Sequence, residues 1–220
     1  MKKRRIATVV ALTLALTGAS TLYAGDAAGF AVALPSGVKA VWDMGKAHRE
    51  TTPTRERICI NGLWLWSVSP AGSEAGSDRV PAENWGYFKV PGCWPGIGDY
   101  MQKDSQTVYA HPNWSNQRLG SIMAAWHERR ITIPAVWAGR SIALRIEYLN
   151  SYAVAYIDGQ KAGETQFPGG DVDLTSMCRP GGTHRLSLFV VAMPLKGVML
   201  SYTDSASARE VKGSVARRGL

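Results

Sequence analysis

Short segments in which apolar and polar residues alternate are the feature of this sequence that most constrains its fold. Apolar side chains recur at every second position in residues 58–68, and again in residues 141–148, where the last of them is Tyr148. Within residues 153–163, the Asp158-Gly159 pair supplies the two positive-φ positions that a type I′ hairpin turn needs. Such segments recur about every 8 to 12 residues, which indicates an all-β sandwich.

Other segments extend this prediction. Residues 85–90 read as a short strand, and residues 185–192 as a near-continuous apolar strand suited to a sandwich interior. Residues 127–133 (HERRITI) are predicted to be a strand whose charged side chains face solvent, stopped by Pro134. Residues 94–120, rich in Pro, Gly, Asn and aromatics, are interpreted as a long excursion over one end of the domain. No segment has the helical pattern that βαβ units require.

The N-terminus has the build of a secretory signal peptide. Residues 2–5 (KKRR) are basic, residues 6–17 are apolar or small, and Ala24 or Ala27 offers a cleavage point. An uncleaved N-terminal anchor is the alternative, but the apolar run is shorter than the about 20 residues that span a bilayer. No later segment reaches that length, so we predict an exported protein, periplasmic or extracellular. The expected division is 1–24 signal peptide, 25–57 extended N-terminal segment and 58–220 β-sandwich.

Charge and cysteine content bear on several classes of function. The formal net charge is +8, but four of the cations lie in the leader, and the rest form no basic stripe with interleaved aromatics. A nucleic-acid partner is therefore not expected. Cys59, Cys93 and Cys178 show no C-x-x-C spacing, so a zinc site is not predicted either. One disulfide and one free thiol would be possible, although three half-buried small hydrophobes are the favoured interpretation.

The sequence contains no recognisable catalytic arrangement. It has no G-x-S-x-G elbow and no His-x-x-x-His spacing, so no catalytic residue, metal ligand or cofactor is predicted. Glu128 and Glu147 are expected on solvated strand faces. Asp171 and Asp173 adjoin a Gly-rich turn, where Asp commonly bonds the local backbone. Neither pair shows why one carboxyl should stay protonated, as a general acid requires.

Five short motifs follow one another in an order that resembles a known family. They are 61–64 (NGLW), 90–94 (VPGCW), 130–140 (RITIPAVWAGR), 153–163 (AVAYIDGQKAG) and 170–175 (GDVDLT). Together with the apolar strand at residue 186, they resemble the N-terminal sugar-binding domain of glycoside hydrolase family 2, the β-galactosidase, β-glucuronidase and β-mannosidase group. The resemblance covers about residues 58–220.

This resemblance implies a jelly-roll sandwich of the galactose-binding type. In the family the domain is followed by an immunoglobulin-like domain and a (β/α)₈ barrel that carries the two glutamates of a retaining mechanism. The family's acid/base glutamate directly follows an asparagine, and no Asn-Glu dipeptide occurs here. The chain is thus expected to be a non-catalytic part of an exported β-glycosidase, truncated before its partner domains, with a β-linked glycoside as ligand.

The resemblance also suggests particular residues. Asp204, in the loop after the last apolar strand, is expected to bind a sugar hydroxyl, or alternatively to cap a short helix in residues 205–212. Asn113 and Trp114 in the long excursion are the other predicted substrate-binding residues. The C-terminal cations are expected to form interdomain ion pairs; they are Lys212, Arg217 and Arg218.

Most of the remaining aromatics have two possible roles. Rings in or beside loops could stack on sugars, but in a sandwich they more often fill the core or a seam between domains. The residues in this group are Trp42, Trp85, Trp94, Tyr109 and Trp126. Core positions are predicted for Trp64, Trp66 and Trp137.

Two other functions remain possible from the sequence alone. One is a free-standing carbohydrate-binding module that acts without any catalytic partner. The other is a surface interaction sandwich, or a non-functional fragment of an enzyme gene, which would expose the surfaces its lost domains covered.

Overall fold

The computed structural model of the chain describes residues 30–69, 79–92, 94–95, 108–119 and 122–192, and the backbone of 196–200 and 208–212. Strands dominate its regular structure, with short 3-10 helices such as Pro112–Trp114 and Ala135–Trp137. The strands are β1 (Arg49–Thr51), β2 (Glu56–Ile58), β3 (Gly62–Val68), β4 (Gly86–Val90), β5 (Val108–Tyr109), β6 (Ala124–Thr132), β7 (Ala143–Ile146), β8 (Tyr152–Ile157), β9 (Gln160–Gln166), β10 (Gly170–Asp173), β11 (Thr183–Val191), β12 (Lys196–Leu200) and β13 (Ala208–Lys212). No helix in the described part of the chain has the length and apolar character of a membrane span.

A seven-stranded antiparallel sheet organises the molecule. Its strand order is β5-β4-β3-β6-β11-β8-β9, which places β6 and β11 near the centre. The pairs β10-β7, β1-β2 and β12-β13 form separate two-stranded sheets. Because side chains of β7 and β10 share one apolar core with the large sheet, the architecture is a β-sandwich. The all-β prediction is confirmed.

The face of the large sheet that meets β7 and β10 is called the inner face. Its core contains Trp64 and Trp66, 3% and 0% exposed, as the alternation in residues 58–68 predicted. Ile142 and Leu144 close the core from the second sheet. Trp137 packs against the edge of this core and is only partly buried, since its indole N–H reaches the Glu56 carboxylate.

The opposite, outer face of the large sheet is also apolar over much of its area. Trp85, Trp126, Tyr156 and Phe189 are buried together there. Residues 30–32 run beside the start of β4 and help to cover them, with the Val32 N–H donating to the Trp85 carbonyl at 2.8 Å. Since both faces of β11 are covered, a strand at this position has few polar residues, which explains the near-continuous apolar run at 185–192.

Two predicted turns take the expected backbone conformations. Asp158 and Gly159, with φ of +52° and +87°, connect β8 to β9 as the hairpin turn that the Asp-Gly pair predicted. At the Asn61-Gly62 turn, Gly62 has φ of +132°. A β-carbon there would also lie 3.1 Å from the Arg129 guanidinium. Both the backbone conformation and the limited space therefore favour glycine at this position.

The prediction that the charged side chains of residues 127–133 face solvent is wrong. His127, Glu128 and Arg129 are 0%, 4% and 6% exposed, and only Arg130 is exposed among the charged residues of this stretch. The reason is topological. β6 pairs with β3 on one side and β11 on the other, and both of its faces are covered as far as Arg129, so alternation does not bring these side chains to the surface.

Arg129 closes the turn between β2 and β3 from inside the sandwich. Its guanidinium donates hydrogen bonds to the carbonyl oxygens of Ile60, Asn61 and Leu63. It also lies 5.2 Å from the centre of the Trp64 ring, in a cation–π contact. Burial lowers the pKa of Arg129 to about 10, so the side chain remains cationic at neutral pH. The hydrogen bonds to three carbonyls compensate for the buried charge.

His127 has a different environment on the same strand. Its imidazole packs against Phe88 and Trp94, with ring centroids 6.0 and 6.1 Å away, and is fully buried. Neither ring nitrogen has a hydrogen-bond partner among the residues that the structure describes. Burial without a counter-charge lowers the pKa of His127 to about 3, so the ring is neutral at physiological pH.

Replacing Arg129 by Gln should strongly destabilise the fold. The shorter amide cannot reach all three carbonyls, and buried acceptors without donors cost free energy. We expect a loss of about 2 to 4 kcal/mol in the free energy of unfolding, measured by urea titration. Arg145→Gln is the matched control, because Arg145 is 53% exposed and pairs only with Asp171 in the described structure. It should lose less than about 1 kcal/mol. Equal losses in both variants would contradict the assigned role of Arg129.

Acid should destabilise the fold through His127. Its pKa is about 3 in the fold against 6.5 in the unfolded chain, so its contribution to stability is complete above pH 6.5 and is lost as the pH falls toward 3. Within that window this group should remove about 1.4 kcal/mol of unfolding free energy per pH unit. Urea titrations of His127→Phe between about pH 7 and pH 5 should lack this slope.

The control for this measurement is His48→Gln. The His48 side chain is 75% exposed, so its removal should leave the pH dependence of the wild type intact. If His127→Phe and the wild type lose stability in parallel on acidification, another group is responsible for the acid sensitivity.

Candidate functional site

Trp114 does not occupy the position that was predicted for it. Its ring is 5% exposed and packs edge-on against Trp66, with centroids 5.5 Å apart. Gly86 of β4 lies directly beneath the ring, where an added β-carbon would be 2.7 Å from its atoms. Protein atoms therefore occupy the faces of Trp114, and the ring forms part of the core instead of a surface for sugar stacking.

The other loop and edge aromatics divide in the same way. Three that had two possible roles are buried in the core, namely Trp85, Trp94 and Trp126, each at most 1% exposed. Trp42 is partly buried against the inner core, and Tyr109 is partly buried in β5. For the three buried rings, the core interpretation is confirmed.

Asn113 is exposed, as a ligand-binding residue needs to be. Its Nδ2 donates to Oδ1 of Asn84 at 2.6 Å, which ties the loop before β4 to the 3-10 helix after β5. Its backbone N–H donates to Nδ1 of His111 at 3.2 Å. An Asn side chain has two donors and a two-lone-pair acceptor, so one bond between the two amides leaves capacity for ligand hydroxyls.

An exposed aromatic pair is the site feature that the sequence analysis missed. Tyr148 and Phe167 are 41% and 63% exposed, and their rings meet edge-to-face with centroids 6.2 Å apart. Tyr148 was predicted to continue the alternating apolar face of residues 141–148. β7 ends at Ile146 instead, and Leu149 takes the buried position.

Backbone hydrogen bonds fix the two loops that carry this pair. The Phe167 N–H donates to the Ser151 carbonyl at 2.9 Å, and the Leu149 N–H donates to the Pro168 carbonyl at 2.8 Å. The pair is thus held on a defined scaffold. A usable signal was present in the sequence, since Phe167 is a large apolar residue placed directly before a Pro-Gly-Gly turn.

Strand register places the amide pair and the aromatic pair at one end of the large sheet, called the loop end. Val191 at the end of β11 lies opposite Ala124 and Tyr152, and Tyr152 lies opposite Gln166. The loop before β4, the segment after β5 and the turn after β9 all belong to this end. The chain also leaves β11 there.

The remaining predicted site residues cannot be placed by their side chains. Asp204, Arg217 and Arg218 lie outside the described residues. Lys212 is the last residue of β13, opposite Lys196 of β12, and only its backbone is described. Their predicted roles in sugar binding and interdomain pairing stay predictions.

A groove lined mainly by polar and charged residues opens on the outer face at the other end of the sheet. It has a volume of about 270 Å³ and is called the outer groove. Its lining residues come from β3, β6, the β8–β9 turn and β11; they are Leu65, Glu128, Arg130, Asp158, Thr183, His184 and Arg185.

Glu128 and His184 are the two buried residues among those that line this groove, each 4% exposed. Oε2 of Glu128 accepts a hydrogen bond from the Ser187 hydroxyl at 2.8 Å and lies 3.7 Å from Nε of Arg185. Burial raises the pKa of Glu128, while the Ser187 hydrogen bond and the charges of Arg185 and Arg130 partly oppose that rise. The prediction that Glu128 lies on a solvated face is therefore wrong, whereas Glu147 is exposed as predicted.

Asp158 and His184 form a hydrogen-bonded pair beside the groove. Nδ1 of His184 lies 2.7 Å from Oδ2 of Asp158, and Nε2 of His184 accepts from the Arg179 N–H at 2.9 Å. Both ring nitrogens are occupied, so the imidazole has no free nitrogen with which to act as a general base. Burial tends to raise the pKa of Asp158, but hydrogen bonds from the Arg185 N–H and from His184 lower it overall. The pair secures the hairpin turn.

The other acidic and thiol groups have structural surroundings. Asp173 accepts from the Thr175 N–H at 2.8 Å, and Asp171 pairs with Arg145 at 2.9 Å. Cys59 and Cys178 are unbridged, and burial raises the pKa of Cys178 to about 11, which makes its thiol unreactive. In the described part of the chain, no group of three or more His, Cys, Asp or Glu side chains has the arrangement of a metal site.

Comparison with solved structures finds β-glucuronidases. The chain resembles one from Faecalibacterium prausnitzii at 18% identity and a TM-score of 0.48, covering 68% of this chain and 23% of that one. For an enzyme from an uncultured Clostridium species the values are 21%, 0.46, 66% and 24%. For one from Ruminococcus gnavus they are 15%, 0.46, 69% and 24%.

This chain therefore spans about a quarter of the length of those proteins. No protein-family model matches the sequence, and no curated protein sequence matches it either. No residue role is transferred from the solved structures. The candidate site consists of the amide pair and the aromatic pair at the loop end, with the outer groove as a separate feature.

Proposed function

We propose that this chain is a carbohydrate-binding accessory domain of an exported β-glycosidase, and that it contributes sugar contacts instead of catalytic groups. Three observations support the proposal. The five motifs occur in the order found in family 2 sugar-binding domains. The described residues form an antiparallel β-sandwich. Exposed aromatic and amide side chains lie at the same end of that sandwich, toward opposite edges of the large sheet.

The single observation that carries the proposal is the exposed Tyr148–Phe167 pair. Pyranose rings present apolar C–H faces beside polar hydroxyl edges, and aromatic rings with a few polar groups nearby match that combination. Four large apolar side chains are exposed among the described residues, and these are the two aromatic ones. Exposure of two adjoining aromatic rings to water is unfavourable, and contact with a ligand or a neighbouring domain would remove that exposure.

The Asn84–Asn113 pair supplies polar capacity at the same end. Amide groups donate to and accept from hydroxyls, so they suit the hydroxyl-bearing edge of a sugar unit. A large ligand such as a glycan chain is required to contact both pairs, because they lie toward opposite edges of the seven-stranded sheet. An oligosaccharide is therefore the expected ligand.

Export is part of the proposal and rests on the leader. The basic residues 2–5 and the apolar residues 6–17 are the support for it. Expression of the full chain should give a product shortened at its N-terminus in the periplasm or medium. Recovery of only the uncleaved chain would contradict the proposed export.

Replacing Phe167 by Ala should weaken binding of β-linked oligosaccharides about tenfold or more, because one stacking surface is lost. Tyr148→Ala should have a similar effect. Isothermal titration with β-linked gluco-, galacto- and manno-oligosaccharides is the measurement, and dissociation constants from about micromolar to millimolar are expected for the wild type.

Val136→Ala is the matched control, since Val136 is 74% exposed and lies in the 3-10 helix at the opposite end of the sheet. Its affinity should equal that of the wild type. If the wild type binds no glycan in the series, carbohydrate binding is excluded as the role of this chain. If binding persists in Phe167→Ala and Tyr148→Ala, the aromatic pair faces a protein domain instead.

A further inference from the structure

Glu128 carries an inference that the loop end does not use. The carboxylate is 4% exposed on a central strand, and an ionised carboxylate has about four acceptor positions. In the described structure, the Ser187 hydroxyl is the one hydrogen-bond donor to it. Buried carboxylates that serve only stability are normally paired and fully hydrogen-bonded. Glu128 has this one hydrogen bond and a 3.7 Å ion pair with Arg185, so it keeps acceptor capacity where it lines the outer groove.

The cationic neighbours of Glu128 leave that capacity open. Nε of Arg185 is 3.7 Å from Oε2 of Glu128, beyond the about 2.7 to 2.9 Å of a charge-assisted hydrogen bond. The Arg185 side chain is 40% exposed, so part of its guanidinium faces the groove. Arg130 is exposed on the same wall. The groove thus has a carboxylate acceptor, Glu128, and a guanidinium donor, Arg185, among the residues that line it.

The charges around the groove select against an ionic ligand. Glu128 and Asp158 contribute two negative charges, and Arg130 and Arg185 contribute two positive charges. A phosphate or a carboxylate would meet the Glu128 carboxylate, and an ammonium group would meet the guanidinium groups. A neutral ligand avoids both repulsions.

The shape and the remaining lining indicate the class of neutral ligand. A volume of about 270 Å³ is at the small end of ligand pockets, so the groove suits one compact unit and not a peptide segment. Hydroxyl groups donate to a carboxylate and accept from a guanidinium at the same time. Leu65 adds an apolar contact for C–H groups.

We propose that the outer groove is a second sugar-binding site, which takes one neutral pyranose unit with Glu128 as hydroxyl acceptor and Arg185 as hydroxyl donor. The inference takes its ligand class from the proposed function, but its residues are separate from the loop end. Asp158 and His184 form the fixed wall, because their side chains already bond one another at 2.7 Å.

The test is a nuclear magnetic resonance titration of the isotopically labelled full chain with methyl β-D-glucopyranoside and methyl β-D-galactopyranoside. At least one should shift the amide signals of Glu128, Thr183 and Arg185, with millimolar dissociation constants. Glu128→Gln keeps the shape and the Ser187 bond but removes the charge, and should weaken this binding about tenfold. Arg185→Lys is the second variant. It keeps the positive charge but loses the planar guanidinium with its several N–H donors.

Glu50→Gln is the control, because the Glu50 side chain is 61% exposed in the β1–β2 hairpin and does not line the groove. It should bind as the wild type does. A further arm uses methyl β-D-glucuronide, whose carboxylate meets Glu128. This anion should bind the groove more weakly than the neutral glycosides.

The outcomes separate the two proposals. Shifts at the groove that weaken in Glu128→Gln or Arg185→Lys, and that persist in Phe167→Ala, support the second site. Shifts confined to the loop end overturn the second site and leave the proposed function in place. No shift at either place overturns both. Tighter binding of the glucuronide at the groove overturns the neutral-ligand assignment.

Discussion

Coverage of both faces of the central strand pair β6–β11 is the constraint on which the rest of the structure depends. Each side chain of β6 up to Arg129 is buried, so its charged groups persist only where the fold supplies partners. Arg129 donates hydrogen bonds to three backbone carbonyls. Glu128 accepts a hydrogen bond from the Ser187 hydroxyl and forms a 3.7 Å ion pair with Arg185. In the first arrangement both terminal nitrogens of the guanidinium are hydrogen-bonded, and its role is structural. In the second arrangement the Glu128 carboxylate keeps acceptor positions without a hydrogen bond from the described residues and lines an open groove. This difference separates a structural buried charge from a candidate binding residue.

Local sequence patterns predicted the strands well because alternation and turn chemistry act over a few residues. The Asp158-Gly159 hairpin and the inward positions of Trp64 and Trp66 follow from these local rules. Strand order is not local. Residues 127–130 could belong to an edge strand or to a central strand. Their central position results from the pairing of β6 with β3 and β11, which lie about 60 residues before and after it in the sequence. Central placement buried charges that alternation alone assigned to solvent.

The predicted site residues in the long excursion have different surroundings in the structure. Asn113 is exposed, whereas Trp114 is buried. The aromatic partner was misassigned because a Trp beside an Asn in a loop resembles a surface ring. Only the missing side chain of Gly86, contributed by another strand, makes room to bury Trp114. Tyr148 reached solvent because its strand ended two residues early.

Gly86 has a bearing on solubility as well. β5 is the strand that pairs with the outer edge of β4 in the described structure, and it pairs with only two residues of β4. The Tyr109 carbonyl and the Trp114 ring both approach Gly86 closely. A side chain at position 86 would displace them and loosen the β4–β5 pairing, leaving backbone groups of β4 open to pairing with another molecule. The absence of a side chain at this position thus lowers the tendency of the protein to aggregate.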